Sequence, residues 1–170
     1  GRLVLTVGEV DLRALALEME TMFSQRCEES GIAFAIEFEG LAHPLVEGDG
    51  LRLQQVFMNM LGNAVKFTPA GGTVAIAAVR EEATGDVLVT VSDNGIGIAP
   101  ENQERIFERF FQVDSSATRI YSGSGLGLAL VREYAVAQGY TVTVESVLGE
   151  GSAFTVRIPV AAVVELDEDE

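Results

Sequence analysis

Positive charge is scarce in this chain. Against 26 acidic residues stand 11 basic ones, a formal net charge of −15. A surface that follows a phosphate backbone needs clustered lysine and arginine, so the composition argues against nucleic acid as a partner. Cysteine is also nearly absent. The single Cys27 rules out an internal disulfide framework and fits a reducing compartment; in a helix-like stretch with no partner motif it reads as a structural thiol. His43 is the only histidine, which argues against a histidine-based metal site. No apolar run approaches the ~18–20 residues of a membrane span, and no secretory signal stands at the start. The expectation is a soluble, cytoplasmic domain without membrane contact, whatever anchors a longer parent protein.

The hydrophobic content, 48% of 170 residues, supplies one sizeable core. A single domain is expected over residues 1–160, with 161–170 an acidic tail or linker ending in ELDEDE. Along the chain, Leu3–Val7 reads as a short strand and Val10–Glu29 as an amphipathic helix with Leu12, Leu15, Ala16, Met19 and Phe23 inward. Ile32–Glu39 alternates as a half-buried strand, and Pro44–Glu47 is extended. Further strands are expected at Thr73–Arg80, Asp86–Ser92, Thr141–Ser146 and Ala153–Pro159, and a helix at Leu126–Gln138. The sum is an α/β two-layer sandwich: one mixed, mostly antiparallel sheet covered on one face by three helices.

The stretch from Leu53 to Thr68 organises the rest. Leu53, Phe57, Met60, Leu61 and Ala64 recur at helical spacing, and Asp49 is a plausible N-cap. Gln55, Asn59, Asn63 and Lys66 (the only lysine) form a second, polar stripe. Buried polar groups left unpaired cost ~1–3 kcal/mol each, so the stripe calls for partners. A solvated face or an interhelix hydrogen-bond network is one reading; a ligand is the other.

Two glycine-rich turns favour the ligand. Val87, Val89 and Val91 share one strand face, and Asp93 falls on it by alternation, with Gly95 and Gly97 directly after. A carboxylate aimed at apolar surroundings must find a donor. It either accepts from an exocyclic amine such as that of adenine or caps its own turn, and the stretch alone leaves both open. The second turn carries Gly123, Gly125 and Gly127 at a helix start, where exposed amides form an anion site. Between the turns, some 25 residues are expected to be irregular, with lid character; they carry Ile106, Phe107, Phe110 and Phe111. Those rings either pack as an internal cluster or dock a partner.

The order NMLGNAVKF, DNGIGI, IFERFFQVD, GSGLGLALV and GEGSAFTVRIP resembles the ATP-binding catalytic domain of sensor histidine kinases, within the superfamily that includes gyrase, Hsp90 and MutL. The likeness runs from about Asp11 to Pro159 and implies the Bergerat-type fold with a long ATP lid. It implies ATP and Mg²⁺ as cofactors, with Asn63 as the Mg²⁺ ligand, Asn59 as its polar neighbour and Lys66 reaching the phosphates; these three form the catalytic set. Phe67 would lie near the adenine, Asp93 would read its amine with Gly95 and Gly97 keeping that wall open, and Ile98 is implied as a further ATP-binding residue. Gly123, Gly125 and Gly127 would cradle the phosphates as the lid closes, with Ser124, Leu126 and Leu128 also implied as ATP-binding. Arg109 or Arg119 would contact the γ-phosphate, and Ser152 would meet the adenine through water.

Hydrolytic relatives such as gyrase carry a glutamate where Asn59 stands, and an asparagine is a poor base. The resemblance therefore implies transfer of the γ-phosphoryl group to a histidine rather than hydrolysis. His43, in a connector, does not fit the acceptor role, so the acceptor is expected on a separate dimerisation/phosphoacceptor helical domain docking at Phe107, Phe110 and Phe111. A response regulator would act downstream. Two alternatives stand beside this: a nucleotide-binding regulatory module without transfer, and a serine kinase of the anti-sigma-factor type.

Overall fold

The computed structural model describes residues 4–108 and 127–164. Seven strands and three α-helices follow one another: β1 (Gly8–Asp11), α1 (Leu12–Ser30), β2 (Ala33–Glu37), β3 (Leu45–Gly48), α2 (Gly50–Lys66), β4 (Thr73–Arg80), β5 (Val87–Asp93), α3 (Gly127–Ala137), β6 (Thr141–Val147) and β7 (Gly151–Ile158). Five strands form the main sheet in the order β2-β4-β5-β7-β6, parallel only at β2–β4. Val74, Ile76 and Ala78 of β4, Val87, Val89 and Val91 of β5, and Phe154, Val156 and Ile158 of β7 are buried beneath the helices. The mixed, mostly antiparallel α/β layer is therefore present.

Three expectations need correction. The first strand is Gly8–Asp11 rather than Leu3–Val7; ahead of it the Thr6 amide donates to the Asp49 carboxylate at 2.8 Å, not to a sheet. The strands are also not all in one sheet. β1 pairs antiparallel with β3 as a separate two-stranded ribbon, because helix α1 starts at once after β1 and draws it away from the main sheet. The chain also stays in the fold beyond residue 160: Val163 bridges Val46 and is buried, and the Val164 amide donates to Leu45 O. Residues 165–170, with the acidic run, lie outside the described residues.

Helix α1 shows why these residues make these elements. The Asp11 carboxylate accepts from the amides of Arg13 and Ala14, capping the start, and Gly31 ends the helix with φ +71°. Leu12, Leu15, Ala16, Met19, Phe23 and Cys27 face the core. Burial raises the Cys27 pKa, as befits an inert structural thiol. Helix α2 buries Leu53, Val56, Phe57, Met60, Leu61, Ala64 and Val65, each large side chain worth ~1.5–3 kcal/mol of transfer free energy. Its apolar face lies against β4 and β5, with α1 and α3 on its two flanks.

The start of α2 is anchored from several sides. Asp49 accepts from Arg52 N as N-cap, its own amide donates to Gln138 Oε1 at 2.7 Å, and Gln138 Nε2 donates to Tyr134 O. Although burial pushes the Asp49 carboxyl up, the amides of Thr6 and Arg52 and the Arg52 guanidinium outweigh it and hold the pKa low. Tyr140, fully buried, donates its hydroxyl to Glu47 O at 2.6 Å.

Tyr140→Phe is expected to cost about 1–2 kcal/mol, read from the urea midpoint, since the Glu47 carbonyl loses a buried donor. Burial, then the nearby Glu47 charge, pushes the Tyr140 hydroxyl from 10.0 up to about 12. A pKa raised in the folded state contributes stability below 10.0 that is lost as pH climbs toward about 12. The phenylalanine variant should lack that alkaline component. An unchanged midpoint would show that the hydroxyl is immaterial.

Candidate functional site

The polar stripe of α2 lies where the sequence places it. Asn59, Asn63 and Lys66 are all half-buried. The two asparagines differ in what they do. Asn59 Nδ2 donates to Gly127 O at 3.4 Å, a long bond that ties the stripe to the first residue of α3. Asn63 uses its backbone carbonyl to accept from Phe67 N, while its carboxamide has no hydrogen-bond partner among the described residues. Lys66 closes the last turn of α2, and its ammonium lies 5.5 Å from the Phe67 ring centroid. Burial, then the Arg26 guanidinium, lowers its pKa. Among the described residues no carboxylate neutralises it, so the one lysine of this acidic chain is available to an anion.

The helix ends because Phe67 leaves helical geometry before Thr68-Pro69, and Thr68 Oγ1 then satisfies the Ala64 carbonyl at 2.7 Å. This ending exposes Phe67 O, which accepts from Ile96 N at 3.2 Å. That bond seats the Asp93 turn on the C-terminal end of α2. A Cβ at Gly95 would collide with Phe67 O, and one at Gly97 (φ +71°) with Val147 O, so both positions require glycine for close approach. Asn94 closes the turn from behind, its Oδ1 accepting from Thr73 N at 2.7 Å.

Asp93 does cap its own turn: Oδ1 accepts from Gly95 N at 2.9 Å. It also lies on the helix-facing side of the sheet, between Val74 on β4 and Ser152 on β7. Burial raises its pKa, against the lowering effect of the Gly95 and Ser152 amides. The turn cap thus coexists with a half-buried, poorly solvated carboxylate in a turn that rests on Phe67 at the end of α2.

Ser152 is buried, and its hydroxyl meets Ser146 Oγ at 2.8 Å. Ser146 Oγ accepts from Ile98 N at 2.7 Å, and Gln103 Nε2 donates to Ile98 O and Ser146 O. Neither Ser146 nor Gln103 stood out in the sequence. Ser146 had a signal of the kind Asp93 carries, a polar residue continuing the half-buried face of Val142 and Val144. Gln103 had none, because its partners are backbone carbonyls.

At the start of α3, Gly127 faces Asn59, and among the described residues a Cβ there would meet only its Cγ, at 4.0 Å; Leu128 packs on the core. Arg109, Phe110, Phe111, Arg119, Gly123, Ser124, Gly125 and Leu126 lie outside the described residues. The region before them is more ordered than the expected irregular connection, with short 3₁₀ turns at Pro100–Asn102 and Arg105–Phe107. Ile106 is buried, and Phe107 meets Phe154 edge-on with centroids 6.1 Å apart, beneath the Arg132 guanidinium. These two side chains take the internal-cluster option. Among the described residues no helix is long and apolar enough to cross a membrane, and no group of three His, Cys, Asp or Glu residues is placed to hold a metal.

The chain is similar to known proteins. The circadian input-output histidine kinase CikA of Synechococcus elongatus is 36% identical over 167 residues, 97% of this chain and 22% of that protein. The full-length kinase ShkA, solved with AMPPNP, superposes with TM-score 0.83 at 35% identity, covering 96% of this chain and 33% of that one. The catalytic domain of histidine kinase ThkA gives 0.77 at 28% identity, covering 91% and 98%; ThkA has also been solved in complex with the response regulator TrrA. The chain spans about a fifth to a quarter of the length of the curated relatives it matches. Residues 48–162, which hold α2, the Asp93 turn and the Ser146–Ser152 hairpin, match one family profile, and this chain accordingly belongs to the histidine kinase-, DNA gyrase B- and HSP90-like ATPases.

Proposed function

We propose that the chain binds ATP with Mg²⁺ and transfers the γ-phosphoryl group to a histidine on a separate dimerisation/phosphoacceptor domain, in two-component signalling. One observation carries the reading: the Ile96 N–Phe67 O bond seats the turn of a half-buried carboxylate, Asp93, on a helix end whose Asn63 carboxamide and Lys66 ammonium have no hydrogen-bond or ion-pair partner among the described residues. Adenine needs the first, and a polyphosphate with its cation needs the other two.

The residues present fit Mg²⁺. This hard ion keeps waters and substrate phosphates as ligands and asks little of the protein, so one carboxamide oxygen from Asn63 suits it better than a carboxylate cage would. When bound, the ion neutralises charge on the β- and γ-phosphates. In this reading Asp93 accepts from the adenine amine, Lys66 draws in the phosphates, and Asn59 stays tied to the start of α3. No carboxylate stands in the α2 stripe to activate water, which favours an external acceptor over hydrolysis. In the transfer the bond between the γ-phosphorus and the β-bridging oxygen breaks, a phosphorus–nitrogen bond to the acceptor imidazole forms, and ADP leaves. The stretch that follows Phe107, whose own ring packs on Phe154, is the proposed docking edge for the phosphoacceptor domain, with a response regulator taking the phosphoryl group afterwards.

The test is incubation with γ-labelled ATP and a separately supplied dimerisation domain. Acid-labile label on that domain, dependent on its histidine, is the expected result. Acid-stable label would point instead to a serine kinase. Tight ATP binding with no transfer to any supplied domain would leave a nucleotide-sensing module.

A further inference from the structure

We propose that Gln103 is a positioning residue for the nucleotide: its side-chain amide clamps the turn from Gly95 to Ile98 onto β6 and holds the wall beside Asp93 in place. The inference rests on the ATP reading above. Gln103 lies between the two 3₁₀ turns and is half-buried. Its Nε2 spends both hydrogens on backbone carbonyls, Ile98 O at 3.0 Å and Ser146 O at 2.9 Å. The opposite rotamer would set Oε1 against two carbonyl oxygens, so the chemistry of the partners determines the orientation.

The same two residues are also joined directly, Ile98 N to Ser146 Oγ at 2.7 Å. One glutamine thus closes a ring that contains the amide and carbonyl of Ile98 and the hydroxyl and carbonyl of Ser146. From Ser146 the contacts continue through Ser152 Oγ at 2.8 Å to the residue opposite Asp93 in the β5–β7 ladder. Among the described residues the turn is otherwise pinned by backbone, through Ile96 N to Phe67 O and Gly149 N to Ile96 O, by the Asp93 cap on Gly95, and at its start by Asn94 Oδ1 on Thr73 N.

Gln103 is therefore the one side chain outside the turn and the β6–β7 hairpin that fixes the end of the turn, among the described residues. It also stands two residues before Arg105–Phe107, where the ring of Phe107 locks onto β7 and α3. A fault at Gln103 displaces the wall without touching Asp93, Asn63 or Lys66. Such a displacement changes how the base is read more than how the phosphates are held.

The experiment measures ATP and GTP affinity and the thermal midpoint for the wild type, Gln103→Met, Gln103→Lys and Ser146→Ala. Methionine keeps the length and bulk but donates nothing; lysine restores donors. Gln103→Met is expected to bind ATP about tenfold more weakly, with a reduced ATP-over-GTP preference. Its midpoint should stay within about 4 °C of wild type. Gln103→Lys should recover ATP affinity to within about threefold of wild type. Ser146→Ala removes the acceptor of Ile98 N and should lose the same preference. Unchanged ATP binding in Gln103→Met, an equal loss for ATP and GTP, or failure of lysine to restore binding would each overturn the positioning role. If the wild type itself binds neither nucleotide, it is the ATP reading that fails, and the wild-type titration alone shows it.

Discussion

Asp93→Asn should bind ATP about a hundredfold more weakly than wild type and still be folded. The carboxylate sits on the helix-facing side of the sheet with Oδ1 committed to Gly95 N. In the proposed complex it accepts from the adenine amine, a hydrogen bond to a charged group worth about 1.5–3 kcal/mol. An asparagine keeps the turn cap through its own Oδ1 but presents an NH₂ where an acceptor is needed, so a donor meets a donor. The fold has no reason to suffer. Burial raises the Asp93 pKa above its ordinary 3.8, so ionising it costs more in the folded state than in the unfolded chain. Its contribution to stability is thus fully present below pH 3.8 and is lost as pH rises through the elevated folded value. At neutral pH the wild type carries a poorly solvated charge that the asparagine lacks, and the variant should melt no lower than wild type. Calorimetric titration with ATP and GTP, beside a thermal melt at pH 7, checks both halves. A variant that still prefers ATP to GTP would reduce Asp93 to a turn cap.

Asn63→Ala should abolish the Mg²⁺ dependence of nucleotide binding. Of the two asparagines on α2, Asn59 donates to Gly127 O, whereas the Asn63 carboxamide is without a hydrogen-bond partner among the described residues. That difference makes Asn63 the residue ready to offer an oxygen to a cation. Losing outer residues that merely support a metal ligand costs ~10–100-fold, so losing the ligand should cost about a hundredfold or more in the presence of Mg²⁺. Without Mg²⁺ the variant and the wild type should bind ATP alike, since Asp93 and Lys66 are untouched. Stability should change little, because the side chain is half-buried and has no hydrogen-bond partner among the described residues. Equal affinities in Mg²⁺ would refute the assignment and shift attention to Asn59.

Most of the secondary structure was legible because local chemistry and periodicity agree. Asp49 caps α2 as its position before a helical pattern suggested, and β4 runs from Thr73 to Arg80 as read. The extra-sheet pairing of β1 with β3 was not legible: a four-residue strand carries no mark of which sheet it joins, and its partner β3 follows only after α1 and β2. Ile106 and Phe107 could be read either as core or as docking surface, since an aromatic run has the same composition in both. Phe154 and Arg132 decided for Phe107, from elements far along the chain.

By itself, the sequence determined the α/β class, the polar stripe on α2 and the place of Asp93 on an apolar strand face, because each follows from a repeat of 3.6 or 2 residues. Only the tertiary structure decided which asparagine is tied to α3 and which has no partner among the described residues, that Asp93 caps its turn while staying poorly solvated, and that Gln103 and Ser146 bond to Ile98 at the end of that turn. Those outcomes depend on hydrogen bonds to backbone carbonyls and amides. Every residue carries such groups, so no side-chain pattern announces which of them will be brought within reach.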